Sequence, residues 1–98
     1  MKRNEVCRLL AKHRTELRER FRVKSLALFG SVVRDESNAA SDVDFLVEFD
    51  RRVGLFHLME TEEFIQGLLG VEKVDLVLRR SLLPELKDDV FAEAIDVL

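Results

Sequence analysis

Apolar residues between Asn4 and about Phe21 recur at steps of three and four, with Val6, Leu9, Leu10, Leu17 and Phe21 on one stripe. That spacing predicts a first amphipathic helix. Val23 to Phe29 is short, largely apolar and stopped by Gly30, the pattern of a buried strand. The polar stretch from Asp35 to Ser41 has turn formers and no apolar period, which predicts a loop. Asp42 to Phe49 then alternates strictly. Val43, Phe45, Val47 and Phe49 take one face of the predicted strand, and Asp42, Asp44, Leu46 and Glu48 take the other.

Leu55 to Leu69 returns to helical spacing through Leu55, Leu58, Ile65 and Leu69, and Gly70 stands where a helix-ending glycine belongs. Gly67 weakens that helix by roughly 1 kcal/mol relative to alanine, so its last turn is expected to be frayed or closely packed. Lys73 to Leu78 alternates again and predicts a third strand with Lys73, Asp75 and Val77 on one side. Pro84 is placed to begin a last helix on which Leu86, Val90, Ala94 and Val97 form a stripe. The order helix, strand, loop, strand, helix, strand, helix predicts an α/β (α+β) fold, with a small mixed sheet of about three strands covered by helices.

The 98 residues fit one compact domain, spanning 1–98, and leave no room for a separate substrate-recognition domain. Lys and Arg total 16 against 19 Asp and Glu, for a net charge of -3. No global positive field exists to hold a nucleic-acid backbone, so stable direct nucleic-acid binding is not expected. The single cysteine, Cys7, can form no internal disulfide and fits a reducing cytoplasm. No apolar run approaches the roughly 20 residues that cross a bilayer, and the amino terminus is too polar for a signal peptide, so no membrane association is expected.

Candidate chemistry lies on the two polar strand faces. Asp42 and Asp44 project from one side of a strand with Cα atoms roughly 6.5 to 7 Å apart. Their repulsion is relieved most strongly by a hard divalent cation, Mg²⁺ first among candidates. Their position at the strand's start is expected to put them at the sheet's edge, beside a polar loop through which a ligand reaches them. Asp75 interrupts the apolar run Val74–Leu78 and needs a partner. If the second and third strands are neighbours, Asp75 joins the pair in a three-carboxylate site able to hold two metals roughly 3.5 to 4 Å apart. Asp75 would then ligate the second metal and accept the proton of an attacking hydroxyl. Gly30-Ser31 after a strand offers backbone N–H groups to an anion, the Ser31 hydroxyl can donate to a phosphate oxygen, and Arg34 can neutralise charge on the same group.

Gly30-Ser31, ten residues, Asp42-Val43-Asp44 and then an apolar strand bearing Asp75 form an ordered set. From about Lys24 to Asp75 this pattern resembles the minimal nucleotidyltransferases of the DNA polymerase beta superfamily. The resemblance implies the nucleotidyltransferase fold. It also implies nucleotide binding by Gly30, Ser31 and Arg34, and metal binding by the catalytic acids Asp42, Asp44 and Asp75. Asp35 departs from the family pattern, where many relatives carry glycine. Family members of this size pair with HEPN-type toxins, so the resemblance implies an antitoxin in a hetero-oligomer. It would transfer AMP from ATP, with Mg²⁺, to a tyrosine hydroxyl of a ribonuclease toxin. The competing reading is a non-catalytic module that silences the toxin by occlusion, and a third is an accessory subunit of a larger transferase.

Other polar features read as structural. His13 lies near the first helix's apolar stripe and is expected to pack there, and His57 is expected to be structural or solvated. Arg51-Arg52 and Arg79-Arg80 are adjacent basic pairs near strand ends and read first as solubilising surface charge. The acidic side of the last helix, with Asp88, Asp89 and Glu93, reads as solvated surface.

Overall fold

The computed structural model describes residues 2–30, 32–33 and 42–98. Helix α1 spans Arg3–Lys12 and α2 spans Arg14–Glu19. Strand β1, Val23–Phe29, leads to β2, Val43–Phe49, then helix α3, Leu55–Leu69, and strand β3, Val74–Leu78. A 3₁₀ turn at Arg79–Ser81 precedes α4, Pro84–Glu93, and the short strand β4, Ile95–Asp96.

The sheet runs in the order β3-β2-β1-β4. β1 is antiparallel to β2 and to β4, whereas β2 and β3 are parallel and joined by α3. The strand alternation read from the sequence sorts the two faces. Val43, Phe45 and Val47 of β2 meet Leu26 and Leu28 of β1 and Val74 and Leu76 of β3 on the core side, all buried. Val6, Leu10, Leu17, Ile65 and Leu69 from the helices belong to the same core cluster. On the opposite side the cross-strand row Ala27, Leu46, Val77 is apolar, and Ala27 and Leu46 are buried. The next row toward the start of β2 holds Phe29, Asp44 and Asp75.

The sheet has four strands where about three were expected, and both terminal helices differ from expectation. The predicted first helix breaks at His13, whose φ of -111° and ψ of 22° end α1 and open α2. Continuing the stripe from Leu10 calls for core residues at the next three- and four-residue steps, and those positions hold His13 and Arg14. No apolar side chain anchors that turn. The predicted last helix stops at Glu93, so Ala94 and Val97 are not on it. Instead Ile95 and Asp96 pair with Leu28 and Ala27, Val97 donates its N–H to the Leu26 carbonyl at 2.9 Å, and its side chain is buried. The backbone groups along that side of β1 need partners, and the fourth strand supplies them.

Gly70 adopts φ +67°, ψ 29° at the end of α3, as its placement predicted. Gly67 lies inside a helix that runs intact to Leu69, and nothing within 4 Å would meet a Cβ there, so it is not closely packed. No helix among the described residues is long and apolar enough to cross a membrane. The predicted loop 35–41 lies outside the described residues.

Candidate active site

The parallel register sets Asp44 directly beside Asp75, one at the start of β2 and the other at the start of β3. Both strands are held in that register by apolar partners on the core face, so burial of Val43 against Val74 and Phe45 against Leu76 positions the acids on the other face. Asp42 precedes β2, with its side chain about half exposed. β2 is an interior strand, so Asp42 and Asp44 sit at the start of a central strand and not at the sheet's edge, whereas Asp75 is on the edge strand β3. Strand order depends on which segments pair across the chain, and the alternation within one strand does not encode it.

Burial first and repulsion second set the electrostatics of Asp44. Burial, the negative charges of Asp75 and Asp42 and a hydrogen bond with the Asp75 side chain raise Asp44 to a pKa of about 6, against a smaller lowering by Lys73. Lys73 Nζ lies 3.7 Å from Asp75 Oδ1 and 3.9 Å from Asp42 Oδ2. It brings a positive charge to both acids. Glu62 on α3 adds a fourth acid, its pKa raised by burial and then by Asp75. The single-letter order of the chain gave a partial signal for Lys73, which shares the strand face of Asp75. Glu62 carried none, because its approach to the acids is made by packing α3 against β3.

Gly30 follows Phe29, whose β2 partner is Asp44. Its φ is +82°, and a Cβ built there would come 2.7 Å from Asp44 Oδ2. The turn is anchored from beyond by Val32 and Val33, both buried. Val33 N–H donates to the Gly30 carbonyl at 3.2 Å, and Arg3 Nη1 donates to the Val33 carbonyl at 3.3 Å. Thus Gly30, Asp42, Asp44 and Asp75 converge, while Ser31 and Arg34 lie outside the described residues.

Three neighbouring carboxylates form a donor set of the type that suits a hard, oxygen-seeking dication such as Mg²⁺. Among the described residues no three acids, histidines or cysteines already stand in a metal-holding arrangement. Asp44 and Asp75 are turned to each other by a side-chain hydrogen bond.

The two histidines are occupied elsewhere. His57 Nε2 donates to the Phe21 carbonyl at 2.6 Å and its ring sits edge-on to Phe49 and Phe21. His13 Nδ1 lies 3.0 Å from Glu16 Oε1, and its ring stands edge-on to Phe64.

Comparison with known proteins gives one consistent result. The profile of the nucleotidyltransferase domain family matches residues 10–97. Over 93 residues the chain is 42% identical to the protein adenylyltransferase MntA of Thermococcus cleftensis, covering 95% of this chain and 93% of that protein. A solved minimal nucleotidyltransferase superposes with a TM-score of 0.75 at 35% identity, over 97% of this chain and 95% of the other. A complex of tri-AMPylated Shewanella oneidensis HEPN toxin with MNT antitoxin shares the fold, with a TM-score of 0.58 at 21% identity over 97% of this chain and 67% of that one.

Proposed function

This chain belongs to the nucleotidyltransferase domain family and is an adenylyltransferase, and we propose that it moves AMP from ATP to a tyrosine hydroxyl of a HEPN-type toxin, acting as its antitoxin in the cytoplasm. The observation that carries this reading is the convergence of Asp42, Asp44 and Asp75 beside the tight Gly30 turn. Gly30 leaves space at the carboxylates that a side chain would fill. In this reading Ser31 donates to a phosphate oxygen and Arg34 offsets the triphosphate's charge. Asp42 and Asp44 would hold Mg²⁺, and Asp75 would serve a second ion and take the acceptor's proton. When bound, Mg²⁺ supplies charge neutralisation at the phosphates and an acidified acceptor hydroxyl. The hydroxyl oxygen bonds to the α-phosphorus as the bond to pyrophosphate breaks.

The need for a protein acceptor is supported by the chain's own surface. Leu55, Phe56 and Met59 at the start of α3 are exposed, and Phe56 is 79% accessible. Apolar side chains so placed are commonly covered by a partner. The naming of the Thermococcus relative as a protein adenylyltransferase and the AMPylated toxin in the Shewanella complex support the same acceptor class.

The test is to incubate the purified HEPN-type partner with this protein, ATP and Mg²⁺, separate the two in mild denaturant, and refold the partner. An added AMP mass on tyrosine with lasting loss of RNA cleavage is expected. Full recovery of cleavage with no added mass would overturn transfer and establish occlusion.

A further inference from the structure

The opposite end of the parallel strand pair holds a second concentration of charge. A cleft of about 570 Å³ opens where β2 and β3 end, bounded by the 50–53 segment, the 3₁₀ turn and one side of α4. From Asp44 to Phe49 the strand advances about 16 Å at about 3.3 Å per residue, so this cleft is well removed from the carboxylates. Its size lies in the range of roughly 300 to 1,000 Å³ that small-molecule sites occupy. The crevice beyond the carboxyl ends of parallel strands is also where α/β sheets ordinarily take ligands.

Arg51, Arg52, Arg79, Arg80 and Lys87 line the cleft against only Glu48 and Asp50. Five cations against two carboxylates leave a local excess of three positive charges in a chain whose net charge is -3. The two acids are also engaged. Asp50 Oδ1 is shared by Arg22 Nε at 3.3 Å and Arg51 Nε at 3.4 Å, and Glu48 accepts a hydrogen bond from Ser25 Oγ at 3.3 Å. Among the described residues Arg52, Arg80 and Lys87 have no carboxylate partner.

Arg79 is held differently. Its guanidinium lies 5.2 Å over the Phe91 ring and its Nε is buried with no hydrogen-bond partner, so the fold fixes the group without neutralising it. Like charges crowded in this way cost stability unless a compact anion joins them. The floor is apolar, with Val47, Phe49, Val53 and Leu78 among the lining residues. Arginines around an apolar and aromatic floor match a ligand that carries several phosphate charges at one end and a flat, weakly polar body at the other.

We propose that this cleft is a second ligand site that binds a nucleoside polyphosphate through Arg52, Arg79, Arg80 and Lys87, independently of the carboxylate site. The proposal does not rest on the identity of the acceptor protein. Because no carboxylate trio faces this cleft, binding here requires no divalent ion.

The experiment is calorimetric titration of the full chain with ATP in EDTA, repeated with inorganic tripolyphosphate. One ATP per chain is expected, with affinity falling at least tenfold in Arg52→Ala/Arg80→Ala and unchanged in Ser31→Ala. Both arginines are exposed, so the double variant should keep the wild-type unfolding temperature, which is measured alongside. No ATP binding in EDTA, or binding lost in Ser31→Ala and retained in the arginine variant, would overturn the proposal. Tripolyphosphate binding as tightly as ATP would overturn the nucleoside assignment.

Discussion

A Cβ on Gly30 would stand 2.7 Å from Oδ2 of Asp44, in a turn where Gly30 already holds φ +82°. A side chain at this position therefore meets two obstacles, the left-handed backbone and the carboxylate across the strand pair. The first costs about 1 to 2 kcal/mol for a residue with a Cβ. The second is relieved by turning Asp44 aside, which displaces the acid the reaction uses. We expect Gly30→Ala to lose about 1 to 2 kcal/mol in denaturant unfolding and at least tenfold in transfer rate. Wild-type transfer from this variant would show that the placement of Asp44 is immaterial to the chemistry.

Asp44 contributes to the fold a stability that falls as pH rises. Its folded pKa of about 6 lies above the ordinary value of 3.8, so between those values the folded state binds more protons than the unfolded one. The ionised form opposes folding, with its full effect above about pH 6. Allowing for solvent screening of a partly exposed group, the effect is on the order of 1 kcal/mol. Asp44→Asn should therefore raise the unfolding temperature in EDTA near pH 7.5 and leave it little changed below about pH 4. A lower unfolding temperature near neutrality would show that the carboxylate is satisfied in the folded chain.

Asp75 is expected to serve the acceptor more than the nucleotide. Asp75→Asn should leave ATP affinity with Mg²⁺ within about threefold and reduce the single-turnover rate by 10²-fold or more, in the range of a lost general base. Nucleotide titration and rapid-quench transfer measured on the same preparation separate the two quantities. Equal losses in both would give Asp75 a structural role.

Lys73 offsets the charge of Asp42 and Asp75 from contacts near 4 Å, with its own side chain 61% exposed. Such a pair contributes at most about 1 kcal/mol. Lys73→Met should lower stability in EDTA by no more than that, and Mg²⁺ should then raise its unfolding temperature by more than it raises wild type's. Identical Mg²⁺ shifts in the two proteins would mean that Lys73 and the ion do not act on the same charges.

The last strand is testable through Val97, which is buried in the core although it lies one residue beyond β4. Removing two buried methyl groups costs about 2 kcal/mol once the cavity is included. Val97→Ala should show that loss in denaturant unfolding, whereas Asp88→Ala on the exposed side of α4 should stay within about 0.5 kcal/mol. A neutral Val97→Ala would place the chain's end outside the core.

The sequence by itself determined what repeats locally. Strict alternation from Asp42 to Phe49 assigned each side chain of β2 to a face, and the helical spacing bounded by Gly70 located α3 with matching limits, because both follow from the geometry of a few consecutive residues. The Gly-Ser and Asp-x-Asp spacing also made the candidate site and the family legible. Tertiary structure alone decided which segments became neighbours. It put β2 in the interior, set Asp44 level with Asp75, brought Lys73 and Glu62 to the acids, and gathered the arginines of two separate segments into one cleft. It also drew Ile95 and Asp96 away from helical spacing onto β1. Two paired residues are too few to show a period, and they form a strand because unpaired backbone groups of a distant segment bind them. Such long-range pairing is selected by the burial of the whole core, which no local pattern contains.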